Sequence, residues 1–201
     1  NNSIFLGILY SKKHNCNFQF FDRKHISVFH DSKKIDFSSG FVSKNISLDT
    51  EEYLKEPMSR DFTIDSIHVS CKDLAIYDFT GRGISDIERR FLDTIIDPKF
   101  AFGDDPKRIY RALYLASKHN LKISDRVSEY TKSVDLKDFM SKNLKFITSI
   151  VDKSFSNSYE RTLKNINILG LEGKIPVFGV YRDYLIDSGN LKRYFEGGFS
   201  E

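Results

Sequence analysis

The spacing of the apolar residues changes near Asp105, and that change limits the fold more than any other feature of the chain. Ahead of it the pattern is the two-residue alternation of strands. In residues 24–30, Ile26 and Val28 alternate with His25, Ser27 and Phe29. Asp31-Ser32-Lys33-Lys34 then predicts a turn and Ile35-Asp36-Phe37 a second strand, together a β-hairpin. Residues 62–69 and 74–79 predict two more strands, the second leading into Thr80-Gly81-Arg82-Gly83. From Asp105 onward the period becomes helical. Ile109, Ala112, Leu113 and Ala116 fall on one face, with Arg108 and Arg111 on the opposite flank. Residues 134–152, 157–170 and 177–195 are also helical in pattern, with Gly170, Gly173 and Pro176 as breaks. The expected class is α+β, β-rich in front and all-helical behind.

Weaker signals fill in the front. The apolar run 4–10 precedes Phe18, Phe20 and Phe21 and counts with the β-rich section. Residues 48–57 predict a short helix with Asp49 or Thr50 as cap, Glu51 and Glu52 in the first turn, and Pro57 as its end. Ser85 with Glu88 predicts a capping box. At 201 residues and 40% hydrophobic content, the chain can bury the core of one ordinary domain or two small ones. A net charge of +3 permits a nucleic-acid partner without requiring one.

Cys16 and Cys71 form no CxxC pair. They predict a reduced protein, cytoplasmic or in another reducing compartment, with both thiols buried as small hydrophobes. No run of 18 apolar residues suits a membrane span, and Asn1-Asn2-Ser3-Ile4 does not open a signal peptide. The absent initial methionine is expected of a processed chain, or of one from which residues are missing. The five histidines show no metal-ligand spacing, and no GxSxG elbow points to a serine nucleophile.

Three motifs stand in fixed order. Arg60-Asp61-Phe62-Thr63-Ile64-Asp65 comes first, then Asp78-Phe79-Thr80-Gly81, then Asp104-Asp105-Pro106-Lys107-Arg108-Ile109-Tyr110-Arg111. This order resembles the class II tRNA nucleotidyltransferase (CCA-adding enzyme) and bacterial-type poly(A) polymerase family, which carries RRDFTIN, DPFGG and EDPLRILRA. The resemblance implies that residues 1–80 are part of a palm-like nucleotidyltransferase head and residues 81–201 a helical neck and body that binds nucleotide and RNA. It also implies template-independent addition of nucleotides to an RNA 3′ end, as CCA or as poly(A), the two branches sharing these motifs.

The same resemblance assigns roles by position. Asp105 and Arg108 occupy the acid and arginine that contact the base of the incoming nucleotide, and Arg111 matches the next family arginine. On residues alone, Asp105-Pro106 reads first as a helix start, an aspartate cap with proline at the first helical position. Arg60 and Asp61 match polar contacts to the nucleotide, with Ser59 replacing the family's first arginine and Asp65 its asparagine. Asp78 to Gly83 reads as a structural turn, with Arg82 on the surface beside it. Asp36 aligns with a strand carboxylate that helps hold two Mg²⁺ ions, against the plainer reading of an edge-strand aspartate facing water.

The family's GGxVRD and DxD segments, which supply the phosphate cradle and the other metal ligands, do not occur in these 201 residues. The first expectation is that they belong to the protein but not to this chain. The alternatives are a second subunit that supplies them, or a non-catalytic RNA- or nucleotide-binding relative. Lys142, Lys145, Lys153, Arg161, Lys164, Lys174, Lys192 and Arg193 would track RNA or form a solvated helix face.

Overall fold

A computed structural model describes residues 2–22, 25–38, 46, 49–176, 183 and 187. The expected helix over 177–195, with Lys192 and Arg193, lies outside them apart from two positions. The chain falls into two compact units, Asn1–Val42 and Ser43–Glu201. The class is α+β.

The first unit is helix α1 (Asn2–His14) on a three-stranded antiparallel sheet of β1 (Asn17–Asp22), β2 (His25–His30) and β3 (Lys33–Ser38), in that order. The apolar run 4–10 is therefore helix, a correction to its place in the β-rich section. Lys12, Lys13 and His14 close α1 where its negative dipole end favours them. Gly7 is there because the helix presses onto the sheet: a Cβ would come 2.4 Å from Ile26 Cγ2. The hairpin forms as expected, His25 opposite Ser38 and His30 opposite Lys33. Asp31 and Ser32 both have positive φ (48° and 61°), which gives a two-residue turn whose twist suits the strands.

The second unit opens with α2 (Glu52–Met58). Its N-cap is Glu51, without a side-chain cap bond, in place of Asp49 or Thr50, and Pro57 lies inside its last turn. Residues 62–69 make one turn of 3₁₀ helix (Thr63–Asp65) before β4 (Ile67–Val69), which pairs antiparallel with β5 (Ile76–Asp78). Leu74 has φ 59°, so the second strand cannot begin there. Then comes α3 (Gly83–Glu88), capped at Arg82 and not at Ser85, whose hydroxyl donates back to Arg82 O. The caps come from upstream: Asp78 Oδ2 accepts from Ile84 N at 3.0 Å, and Thr80 Oγ1 accepts from Gly83 N at 3.1 Å. Gly83 sits so close to its neighbours that a Cβ would lie 2.6 Å from Thr63 O. Gly83→Ala is expected to cost about 1–3 kcal/mol, as overpacking against backbone does, and thermal unfolding would measure it.

Short β6 (Phe91–Leu92) pairs in parallel with β7 (Lys122–Ile123), with α4 (Pro98–Asp104) and α5 (Lys107–His119) between them. Behind them stand α6 (Asp125–Ser133), α7 (Lys137–Asn157) and α8 (Tyr159–Leu169). Ser124 and Ser158 cap α6 and α8, and left-handed Asn120 and Gly170 end α5 and α8. Helix α5 is central. Ile109, Tyr110, Ala112, Leu113 and Ala116 are fully buried in one core with Phe62, Leu92, Ile147 and Leu169. Arg108 is buried with them, not on the opposite flank.

Candidate nucleotide-binding site

Four of the expected site residues converge where the start of α5 meets the segment after α2. Asp61 is the pivot. Its Oδ1 lies 2.8 Å from Arg108 Nε, and its Oδ2 accepts from Arg111 Nε. Asp105 uses both carboxylate oxygens: Oδ1 accepts from Lys107 N at 3.1 Å and Oδ2 from Arg111 Nη2 at 3.0 Å. Asp105 is thus both a helix start and a partner of Arg111. Arg108 donates to Ala101 O at 3.1 Å and to Ser59 O at 2.8 Å, joining α4, the segment before Asp61, and α5. The two carboxylates keep Arg111 charged: burial pushes its pKa down, but the bonds and charges of Asp61 and Asp105 raise it above the ordinary value.

Arg60 points elsewhere. Its Nη2 lies 2.5 Å from Glu56 Oε1, whose other oxygen is 3.2 Å from His68 Nε2. Glu56 stands four residues before Arg60, and that spacing was the signal by which the pair could have been found.

A second polar knot lies on Asp93. Arg126 donates to both its oxygens at 2.8 Å, from Nε to Oδ1 and Nη2 to Oδ2, and Ser124 Oγ donates to Oδ1 at 2.7 Å. Arg82 adds a bond of 2.9 Å to Oδ2 and two more to Thr94 O and Ile95 O. Arg82 is therefore a clasp between the glycine turn and the segment after β6. Burial raises the Asp93 pKa, but Arg126, Ser124 and Arg82 outweigh it and hold the carboxyl below its ordinary range.

Asp36 lies on β3 in the first unit. Ser27, directly opposite on β2, donates to Oδ1; Lys34 Nζ is 3.0 Å and His25 Nε2 3.2 Å from the same oxygen. Burial pushes the Asp36 carboxyl up, but bonds from Ser27, Lys34 and His25 bring it down to about 2. The stability that Asp36 contributes is then complete above the model-peptide value of 3.8 and lost as pH falls through about 2. Acid unfolding of Asp36→Asn beside the parent is expected to show a difference that closes over that window. Among the described residues no three His, Cys, Asp or Glu side chains gather as metal ligands. With an ammonium already on its Oδ1, Asp36 alone does not fit a pair of divalent cations.

Known proteins resemble this chain in sequence over part of its length and in fold. No family model matches the chain. The tRNA nucleotidyltransferase cca1 of Schizosaccharomyces pombe is 29% identical over 121 residues, 59% of this chain and 24% of that protein. Poly(A) polymerase I of Salmonella typhi is 33% identical over 75 residues, 37% of this chain and 16% of that protein. Part of the chain is thus similar in sequence to tRNA nucleotidyltransferases and to poly(A) polymerases. It spans only about a quarter or less of the length of these curated relatives. The fold agrees over the whole chain. A CCA-adding enzyme in an apo form has a TM-score of 0.68 at 16% identity, with this chain matching 51% of it. The Thermotoga maritima CCA-adding enzyme complexed with tRNA gives 0.67 at 17%, with 49% of it matched.

The structure departs from the sequence expectations in small ways. The basic positions split: Lys142, Lys145, Lys153 and Lys164 are exposed, whereas Arg161 donates to Ser117 O at 2.8 Å and Lys174 caps α6 through Thr131 O and Lys132 O. Neither cysteine is buried; Cys16 is half-buried and Cys71 exposed, both as free thiols. No helix among the described residues is long and apolar enough to cross a membrane. Sequence reasoning missed Asp93 and Arg126, 33 residues apart and outside the three motifs.

Proposed function

We propose that the chain is the nucleotide- and RNA-binding part of a template-independent nucleotidyltransferase that extends an RNA 3′ end, by CCA addition or polyadenylation. Residues 1–80 would belong to its head and 81–201 to its neck and body. One observation carries the reading: Asp61, Asp105, Arg108 and Arg111, drawn from two motifs that stand apart in sequence, form one charged cluster. Two carboxylates and a guanidinium fork, partly open to solvent, give the donors and acceptors that a base edge requires. Arg60, half-exposed and paired with Glu56, is offered as a contact to phosphate. Lys142, Lys145, Lys153 and Lys164 are offered as contacts to the RNA backbone. The complexes of solved CCA-adding enzymes with ATP and with tRNA support nucleoside triphosphate and tRNA as partners.

The reaction would be attack of the RNA 3′-hydroxyl oxygen on the α-phosphorus of the triphosphate, with pyrophosphate leaving. Mg²⁺ would supply charge stabilisation, and Asp36 is the one carboxylate of this chain offered to it, the remaining ligands coming from outside these residues. This chain's own part is binding and orienting the nucleotide. A reducing cytoplasmic setting is proposed with it, supported by the two free thiols.

The test is extension of labelled RNA, tRNA lacking its 3′ end and an unstructured oligomer in parallel, with each of the four triphosphates and Mg²⁺. The native protein is expected to extend one of the two RNAs, and Asp61→Ala to lose at least tenfold in rate. Equal extension by Asp61→Ala would remove the cluster from the reaction.

A further inference from the structure

The β4–β5 hairpin carries its rings and its aliphatic side chains on different faces. His68 and Tyr77 stand opposite each other in the antiparallel register, and Val69 and Ile76 form the next pair, which strand alternation turns to the other side. Phe79, two residues beyond Tyr77, joins the first face. Its ring lies 5.7 Å from that of Tyr77, centroid to centroid, with the planes 10° from parallel, and it meets His68 edge-on at 5.4 Å. Tyr77 is 44% exposed, and Phe79 and His68 are half-buried. Burial does not account for these rings, since none of the three belongs to the core around α5. The face is tied to the charged cluster. His68 Nε2 lies 3.2 Å from one oxygen of Glu56, the other oxygen holds Arg60, and Arg60 directly precedes Asp61.

Resting on the RNA-binding reading, we propose that the ring face of β4–β5, with Tyr77 at its centre, is the platform on which unpaired bases at the 3′ end of the RNA stack. An exposed ring with a second held nearly parallel to it offers a flat π surface, and every base has a face to match. His68 and Arg60, joined through Glu56, add N–H donors at its border for the phosphates between stacked bases. The 3′-hydroxyl of the RNA must reach the nucleotide, and the Glu56–Arg60 link sets the ring face beside Asp61, the pivot of the nucleotide cluster. A protein partner would instead seat on the aliphatic face, where Val69 and Ile76 are each more than half exposed.

The experiment is fluorescence anisotropy of the native protein, Tyr77→Ala, Tyr77→Phe and Ile76→Ser with three labelled RNA stem-loops, and a melting curve for each protein. One stem is blunt, one has a short 3′ overhang, and one has the same overhang without its bases. The parent is expected to bind the overhang about tenfold tighter than the blunt or the abasic stem, the gain that one stacked base gives. Tyr77→Ala is expected to lose that gain, to bind the blunt stem as the parent does, and to keep the parent's salt dependence, since no phosphate contact is removed. Tyr77→Phe, which keeps the ring, and Ile76→Ser, on the other face, are expected to bind all three stems as the parent does. Parent affinity for the overhang in Tyr77→Ala overturns the assignment, and so does an equal loss in Ile76→Ser. A parent that binds abasic and intact overhangs alike also overturns it, with no variant needed, while the RNA-binding reading stands. Binding of none of the three stems removes both.

Discussion

Replacing Arg108 by alanine is expected to destabilise the protein by about 3–5 kcal/mol, the range for removing one partner of a buried ion pair. Two carbonyls, Ser59 O and Ala101 O, would lose their donor, and the Asp61 carboxylate would lose the buried positive charge 2.8 Å from its Oδ1. Ser59 itself is buried, so water cannot readily take the place of the lost bond to its carbonyl. For a chain of this length each kcal/mol lowers the melting temperature by roughly 2–4 °C. The drop should therefore be roughly 10 °C, read by calorimetry or circular dichroism. Arg108→Lys should recover part of it, because one ammonium can face Asp61 but cannot span both carbonyls. A melting temperature unchanged in Arg108→Ala would mean that α4, α5 and the segment before Asp61 are held by apolar packing alone.

The second large effect belongs to Asp93. Asp93→Ala is expected to cost about 3 kcal/mol by the same reasoning. It leaves Arg126, Arg82 and Ser124 without their shared acceptor at a position that is 5% exposed. The loss stays below the upper limit because both guanidiniums are partly open to water and keep bonds to Thr94 O. Asp93 also has a pH signature. Its folded pKa is depressed, so its stabilisation is present above the ordinary carboxylate range and fades as pH falls below it. Acid unfolding of the parent and of Asp93→Asn should therefore diverge at neutral pH and converge in acid.

How much of this was legible depended on whether a residue's neighbours lay close in sequence. The β2–β3 hairpin was readable because Ile26 and Val28 alternate through a strand and the turn residues follow at once. Helix α5 was readable from the 3.6 spacing of Ile109, Leu113 and Ala116. Helix α1 was not, since seven apolar residues in a row carry no period and only Gly7 hints at close packing on the sheet. The start of α3 was misplaced at Ser85 because its caps, Asp78 and Thr80, come from an earlier turn.

At the site, the resemblance assigned Asp61, Asp105 and Arg111 to the nucleotide; the structure brings their side chains together, a pairing between residues up to 50 apart that no local pattern encodes. The burial of Arg108 was illegible for a physical reason. An arginine on an amphipathic helix reads as a surface residue, and only the tertiary positions of Ser59 O, Ala101 O and Asp61 compensate its burial.

The most direct test of the central claim, that this cluster holds a nucleoside triphosphate, is photolabelling of the native protein with an azido-substituted ATP, followed by mass-spectrometric mapping. Label is expected on peptides containing residues 59–61 and 104–111, and excess unmodified ATP is expected to suppress it. Label confined to other segments, or label that ATP does not suppress, would contradict the account.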